Sequence, residues 1–119
     1  MPPVPTHSIV ETTAFTGQAR RLEVTAEEMA TLYDTYAANP SYGQIVRGTG
    51  GLRKGRISKS DTGKSGGYRV FSFFADERDP VFFLWIIDKS EDETLTDAQE
   101  NAFKRLTSQL KKELRNEGQ

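Results

Sequence analysis

With 119 residues the chain is long enough for one domain with a real core and too short for two. It is 35% hydrophobic and 28% charged, the balance of a soluble globular protein, with a net charge of −1 and no cysteine, which excludes a disulfide scaffold, thiolate zinc centres and cysteine nucleophiles. The one histidine, His7, stands in the proline-rich start MPPVPTHS; a histidine-based catalytic triad would have to draw on it, and a lone terminal histidine reads as a surface residue rather than a ligand, because metals need several convergent ligands.

No apolar run approaches the ~20 residues that span a bilayer. The start has neither the positive nor the apolar region of a secretory signal. We therefore expect a cytoplasmic protein that meets no membrane.

Residues 1–7 read as a loose lead-in, and residues 8–12 as a short β-branched strand. Phe15, Ala19 and Leu22 recur at helical spacing over 13–22, with Gly17 weakening the helix. Thr25 and Glu28 have capping-box spacing. Met29, Leu32, Tyr33 and Tyr36 then give an amphipathic helix of about three turns, stopped at Asn39-Pro40. Residues 44–46 form a brief strand, and the glycines at 48–51 turn the chain. Residues 52–59 make a basic strand. Residues 60–67, SDTGKSGG, make a hairpin loop. Residues 68–75, YRVFSFFA, make a second strand, and residues 81–87, VFFLWII, a central strand covered on both faces. Thr96 and Gln99 open a last helix with Ala102, Phe103, Leu106, Leu110 and Leu114 on one side and Lys111, Lys112 and Arg115 near its end. The expected architecture is α+β, with helices on one sheet face and the other partly free.

Charge is concentrated in the middle. Between Gln44 and Arg69 stand Arg47, Arg53, Lys54, Arg56, Lys59, Lys64 and Arg69 against the single acid Asp61, a net +6 in a chain whose total is −1. Such a local field on an otherwise acidic protein points to a polyanion bound at one place. A merely solvated basic face is the alternative. Residues 58–65 nearly spell a phosphate-binding P-loop, but Ser58 replaces its first glycine and a strand follows where a helix is needed.

The run Gly48-Thr-Gly-Gly-Leu-Arg-Lys54, then Arg56, then Gly63-Lys-Ser-Gly-Gly-Tyr-Arg-Val70, then an apolar strand ending Asp88-Lys89-Ser90, resembles the RelE/HigB superfamily of bacterial toxins, its HigB-type branch most. The similarity covers about residues 8 to 115. It implies a microbial-RNase-like RelE fold: one domain over 1–119, with an antiparallel sheet of about four strands, two N-terminal helices and a C-terminal helix. It also implies a toxin paired with a HigA-like helix-turn-helix antitoxin. Such a toxin binds the small ribosomal subunit and cuts messenger RNA in the A site by attack of a ribose 2′-hydroxyl on the adjacent phosphate, with no metal or other cofactor.

Carried over by position, the catalytic candidates are Lys54, Arg56, Arg69 and Lys89. Residues two apart on a strand share a face, so Lys54 and Arg56 project together. Arg69 on the next strand can join them, and Lys89 at the end of the third can close the set. Fixed cations suit the charge that builds on phosphate oxygens during transfer. Arginine holds two oxygens at once, so Arg69 is the expected clamp. Arg47, Arg53, Lys59 and Lys64 are expected to bind the RNA backbone. Of Phe71 and Phe73, at least one belongs to the core, and Phe73 is the candidate for stacking on a base.

The sequence departs from the resemblance after the last strand. Ser90 and then Glu91, Asp92 and Glu93 follow Lys89, and no tyrosine occurs after Tyr68, which leaves the general acid unassigned. Two other readings therefore stand beside the nuclease: a protein of the same fold that binds without cutting, and a topoisomerase poison of the ParE kind.

Overall fold

In the computed structural model, which describes residues 7–59, 67–92 and 94–117, the elements run β1 (Ile9–Glu11), α1 (Thr13–Arg21), α2 (Ala26–Ala38), β2 (Gln44–Ile45), β3 (Leu52–Ser58), β4 (Gly67–Phe73), β5 (Val81–Asp88) and α3 (Asp97–Glu117). The helix starts follow from capping. Thr12 Oγ1 accepts from the Phe15 N–H. Thr25 Oγ1 accepts from Glu28 N–H while Glu28 Oε1 accepts from Thr25 N–H. Thr96 and Gln99 make the same reciprocal pair, satisfying amides that the first helical turn cannot.

The sheet order is β1-β5-β4-β3-β2. β2, β3, β4 and β5 are antiparallel neighbours, but β1 pairs with β5 in parallel, Ile9 opposite Val81 and Glu11 opposite Phe83. The sheet is therefore mixed and five-stranded, not purely antiparallel with about four. A three-residue strand does not reveal its direction of pairing from sequence. Here Val81 N–H donates to Ser8 O and Thr12 N–H to Phe83 O, both across β1 and β5. The loop at 60–66 lies outside the described residues, but the flanking strands pair from Leu52↔Phe73 to Ser58↔Gly67, the register of a hairpin.

Both sheet faces are covered. On one, Phe15 and Ala19 of α1 and Leu32 and Tyr36 of α2 pack against Ile57, Tyr68, Val70, Val81, Phe83 and Ile86. On the other, Phe103 with Leu106, Leu110 and Leu114 of α3 covers Leu52, Phe71, Phe73, Leu84 and Ile87. α3 thus closes the face expected to be partly free, and Ala102 stays exposed beside that stripe. A register shift opposite Phe71 and Ser72 leaves Leu84 as the extra residue of β5. The bulge turns Leu84 and Trp85 both toward the α3 side, where Trp85 meets the Phe103 ring at 5.9 Å. α3 reaches only part of this face. Toward the hairpin end the apolar cover stops, and there the cations begin.

Candidate functional site

β3 carries two kinds of residue in alternation. Leu52, Lys54 and Arg56 face the α3 side, and Arg53, Gly55 and Ile57 face α2. Opposite them, Lys54 pairs with Phe71 and Arg56 with Arg69. Directly opposed residues bring their Cβ atoms to about 4.5–5.5 Å, and Lys54 sits on the diagonal to Arg69, about 7–8 Å away. Arg56 is exposed and Lys54 and Arg69 are half-buried. Among the described residues neither Lys54 nor Arg56 has an acidic partner within ion-pair distance.

β2 pairs with β3 over only two residues, Gln44↔Lys54 and Ile45↔Arg53. Beyond Lys54 the outer edge of β3 is crossed instead by residues 41–43. Arg53 Nη1 donates to Ser41 O at 3.1 Å and Gly43 O at 3.4 Å. Tyr42 Oη donates to Arg56 O at 2.9 Å. Gly43 has φ +96°, and a Cβ there would stand 2.4 Å from Lys54 O, so only glycine lets the chain pass this close. The result is an open groove of about 590 Å³ lined by Tyr42, Gly43, Gln44, Lys54, Gly55, Arg56 and Arg69. Lys54, Arg56 and Arg69 bring three cations to it from the α3 side of the sheet, while the Tyr42 ring packs on the α2 side, over Gly55 and edge-on to Tyr36.

The remaining candidates divide. Lys89 follows β5, and its N–H donates to Gly67 O at 3.0 Å. Asp88 accepts from Ser90 N–H at 2.9 Å and Ser90 Oγ at 2.8 Å, closing a tight turn with Lys89 in its middle. Lys89 does not line the groove. Lys59 turns away from it. Its Nζ lies 2.5 Å from Asp88 Oδ2 and 5.4 Å from the Tyr68 ring centre, so it holds the two ends of the β3–β5 region together. Burial alone would raise the Asp88 carboxyl, but hydrogen bonds from Lys59 and Ser90 outweigh it and hold it below its ordinary value.

Arg53, expected on RNA, faces α2 and braces the 41–43 segment. Phe73 is 1% exposed and packs against Phe82, so its ring offers no face to a base; Phe71, equally buried, is core as well. Arg47 is exposed in the turn after β2. Lys64 lies outside the described residues. Among the described residues no three His, Asp or Glu side chains converge, and no helix is long and apolar enough to cross a membrane.

The family model for the RelE toxin of the RelE/RelB toxin–antitoxin system matches residues 8–117. The chain belongs to the RelE toxin family. A RelE toxin is one half of a toxin–antitoxin system, and RelE toxins in general are messenger RNA endoribonucleases that inhibit translation. The mixed sheet with α1 and α2 on one face and α3 on the other is consistent with the RelE fold.

Within this RelE-family chain, sequence reasoning overlooked Tyr42 and Gln44 as groove residues. One signal was present. Gly55 sits alone inside a strand, between Lys54 and Arg56, and an isolated strand glycine marks a close approach. Here a Cβ would stand 2.6 Å from Tyr36 Oη and 2.7 Å from two Tyr42 ring carbons.

Proposed function

We propose that this RelE-family protein is a ribosome-dependent messenger RNA endonuclease that arrests translation by cutting in the A site, and that its groove is where the scissile phosphate binds. The observation that carries the reading is the Arg56↔Arg69 pair with Lys54 beside it. Two arginines directly opposed, with a lysine on the diagonal, concentrate three positive charges around one open space. In the reaction the 2′-hydroxyl gives up its proton as its oxygen bonds to the neighbouring phosphorus, the bond from phosphorus to the 5′-oxygen breaks and that oxygen takes up a proton, leaving a 2′,3′-cyclic phosphate and a 5′-hydroxyl. Charge grows on the nonbridging oxygens, and preorganised cations lower that barrier most.

Arg69 and Arg56 hold the nonbridging oxygens in a forked grip, and Lys54 adds charge from the side. Lys89, on a turn fixed by Asp88, serves the flanking phosphate rather than the one being cut. The exposed Arg47 extends the backbone contact. The antitoxin partner is HigA-like, as the HigB-type motifs suggest, and the complex works in the cytoplasm.

A second reading, binding without cleavage, is favoured by one observation: among the described residues no carboxylate or imidazole lines the groove to move protons. Inducible expression with mapping of messenger RNA ends separates the readings. The nuclease gives growth arrest with cuts inside translated codons, lost in Arg69→Ala and Lys54→Ala. Arrest with intact messenger RNA supports a topoisomerase poison. A well-folded product that arrests nothing supports the binder.

A further inference from the structure

We propose that Gln44 is a specificity-determining residue of this groove: its side-chain amide takes the edge of a base that carries an exocyclic amine, adenine or cytosine, beside the phosphate held by Arg56 and Arg69. This rests on the reading of the groove as the site of RNA cleavage and adds which bases it favours.

Gln44 lies directly opposite Lys54. Directly opposed residues share a face, so its side chain stands with Lys54, Arg56 and Arg69 on the α3 side. Val46, two residues on, packs on that same side against the cluster of Leu52 and Phe71, as strand alternation requires. Tyr42, two residues back, does not follow, because Gly43 between them has φ +96° and breaks the alternation. Gln44 is exposed and lines the groove, on the diagonal to Arg56 at about 7–8 Å. Its backbone is fixed from both sides: Arg53 Nη1 donates to Gly43 O at 3.4 Å, and Ile45 pairs with Arg53. Among the described residues its side-chain amide has no hydrogen-bond partner.

Lysine and arginine side chains donate and never accept. Lys54, Arg56 and Arg69 can therefore meet phosphate oxygens and the carbonyl edges of guanine or uracil, but not an amine. The Tyr42 hydroxyl is on the other face, given to Arg56 O at 2.9 Å. Among the described lining residues, Gln44 Oε1 is thus the one side-chain acceptor on the cation face, and Nε2 beside it donates. Adenine and cytosine present the complement, an amine next to a ring nitrogen that accepts, and single-stranded RNA leaves those edges open to be read.

The test is cleavage by the purified protein of messengers on programmed ribosomes, with one A-site codon base changed at a time and kcat/KM compared. Adenine is replaced by hypoxanthine and cytosine by uracil, exchanges that put a carbonyl where the amine stood. At one codon position the exchange should slow the wild type by about 5- to 150-fold. In Gln44→Leu, which has neither the acceptor nor the donor, that penalty should vanish. A Gln44→Leu that cuts every messenger more slowly but keeps the penalty would show a purely structural role and overturn the proposal. A wild type indifferent to the exchange at every codon position overturns it without any variant. Failure of the groove reading itself looks different: Arg56→Ala and Arg69→Ala would cut as fast as the wild type, or the wild type would cut no messenger, and the proposal falls with it.

Discussion

Arg56 and Arg69 stand directly opposite one another across the β3–β4 ladder, a like-charge pair at a position where sheets ordinarily set complementary ones. Like charges so placed destabilise the free protein by roughly 0.2–1 kcal/mol. Arg56→Gln is therefore expected to raise stability by about that amount in urea unfolding while cutting messenger RNA cleavage by at least about 100-fold, the loss typical for one donor to a developing oxyanion. A variant that loses activity and stability together would mean that Arg56 is a structural residue.

The groove cations and the bracing cations should separate in their response to salt. Each phosphate contact contributes about 0.7 to the slope of log affinity against log salt on a single strand. Lys54→Ala and Arg56→Ala should each lower the slope of RNA binding by about that much, and Lys59→Met should leave it unchanged. Titrations of binding across a range of potassium chloride concentrations read this directly.

Gly55→Ala is expected to be out of proportion to its size. The added methyl meets Tyr36 Oη and the Tyr42 ring well inside contact distance. Tyr36 is locked in the core, so Tyr42 must give way. Overpacking of this kind costs about 1–3 kcal/mol, read as a lower midpoint in urea, and cleavage should fall even under conditions where the variant is fully folded.

Asp88 makes stability depend on acid pH. Its carboxyl is held below the ordinary value of about 3.9 by Lys59 and Ser90, against the effect of burial. A carboxyl lowered in the folded state stabilises the protein above the unfolded value, and that contribution is lost as pH falls through the folded one. Thermal melts from pH 7 to pH 3 should show the wild type losing stability below about pH 4. Asp88→Asn should be less stable at pH 7, by about 1–3 kcal/mol for a hydrogen-bonded charged group, and flatter in the acid limb. An unchanged acid limb would rule out Asp88 as its source.

Much of this was legible in the sequence, and particular residues show why the rest was not. The alternation of Lys54 and Arg56 and the hairpin to Arg69 follow from strand period, and in the structure the three line one groove. The two capping boxes follow from local spacing alone. Phe73 and Lys59 were misassigned because what covers a residue is a long-range fact. α3 buries Phe73 from more than twenty residues away, and Asp88 draws Lys59 to the opposite side of the sheet. The parallel pairing of β1 was hidden for the same reason, since three residues carry no mark of their neighbour. Tyr42 escaped because its place depends on Gly55 and Arg56, thirteen and fourteen positions on, leaving room and an acceptor for it.

The most direct measurement is cleavage by purified protein of a defined messenger on programmed ribosomes, with the new ends analysed chemically. Three cations around one phosphate predict a single cut in the A-site codon leaving a 2′,3′-cyclic phosphate and a 5′-hydroxyl, abolished in Arg69→Ala and strongly reduced in Lys54→Ala. Cleavage that survives in both variants at the wild-type rate, or an intact messenger on ribosomes that the protein demonstrably occupies, would contradict it.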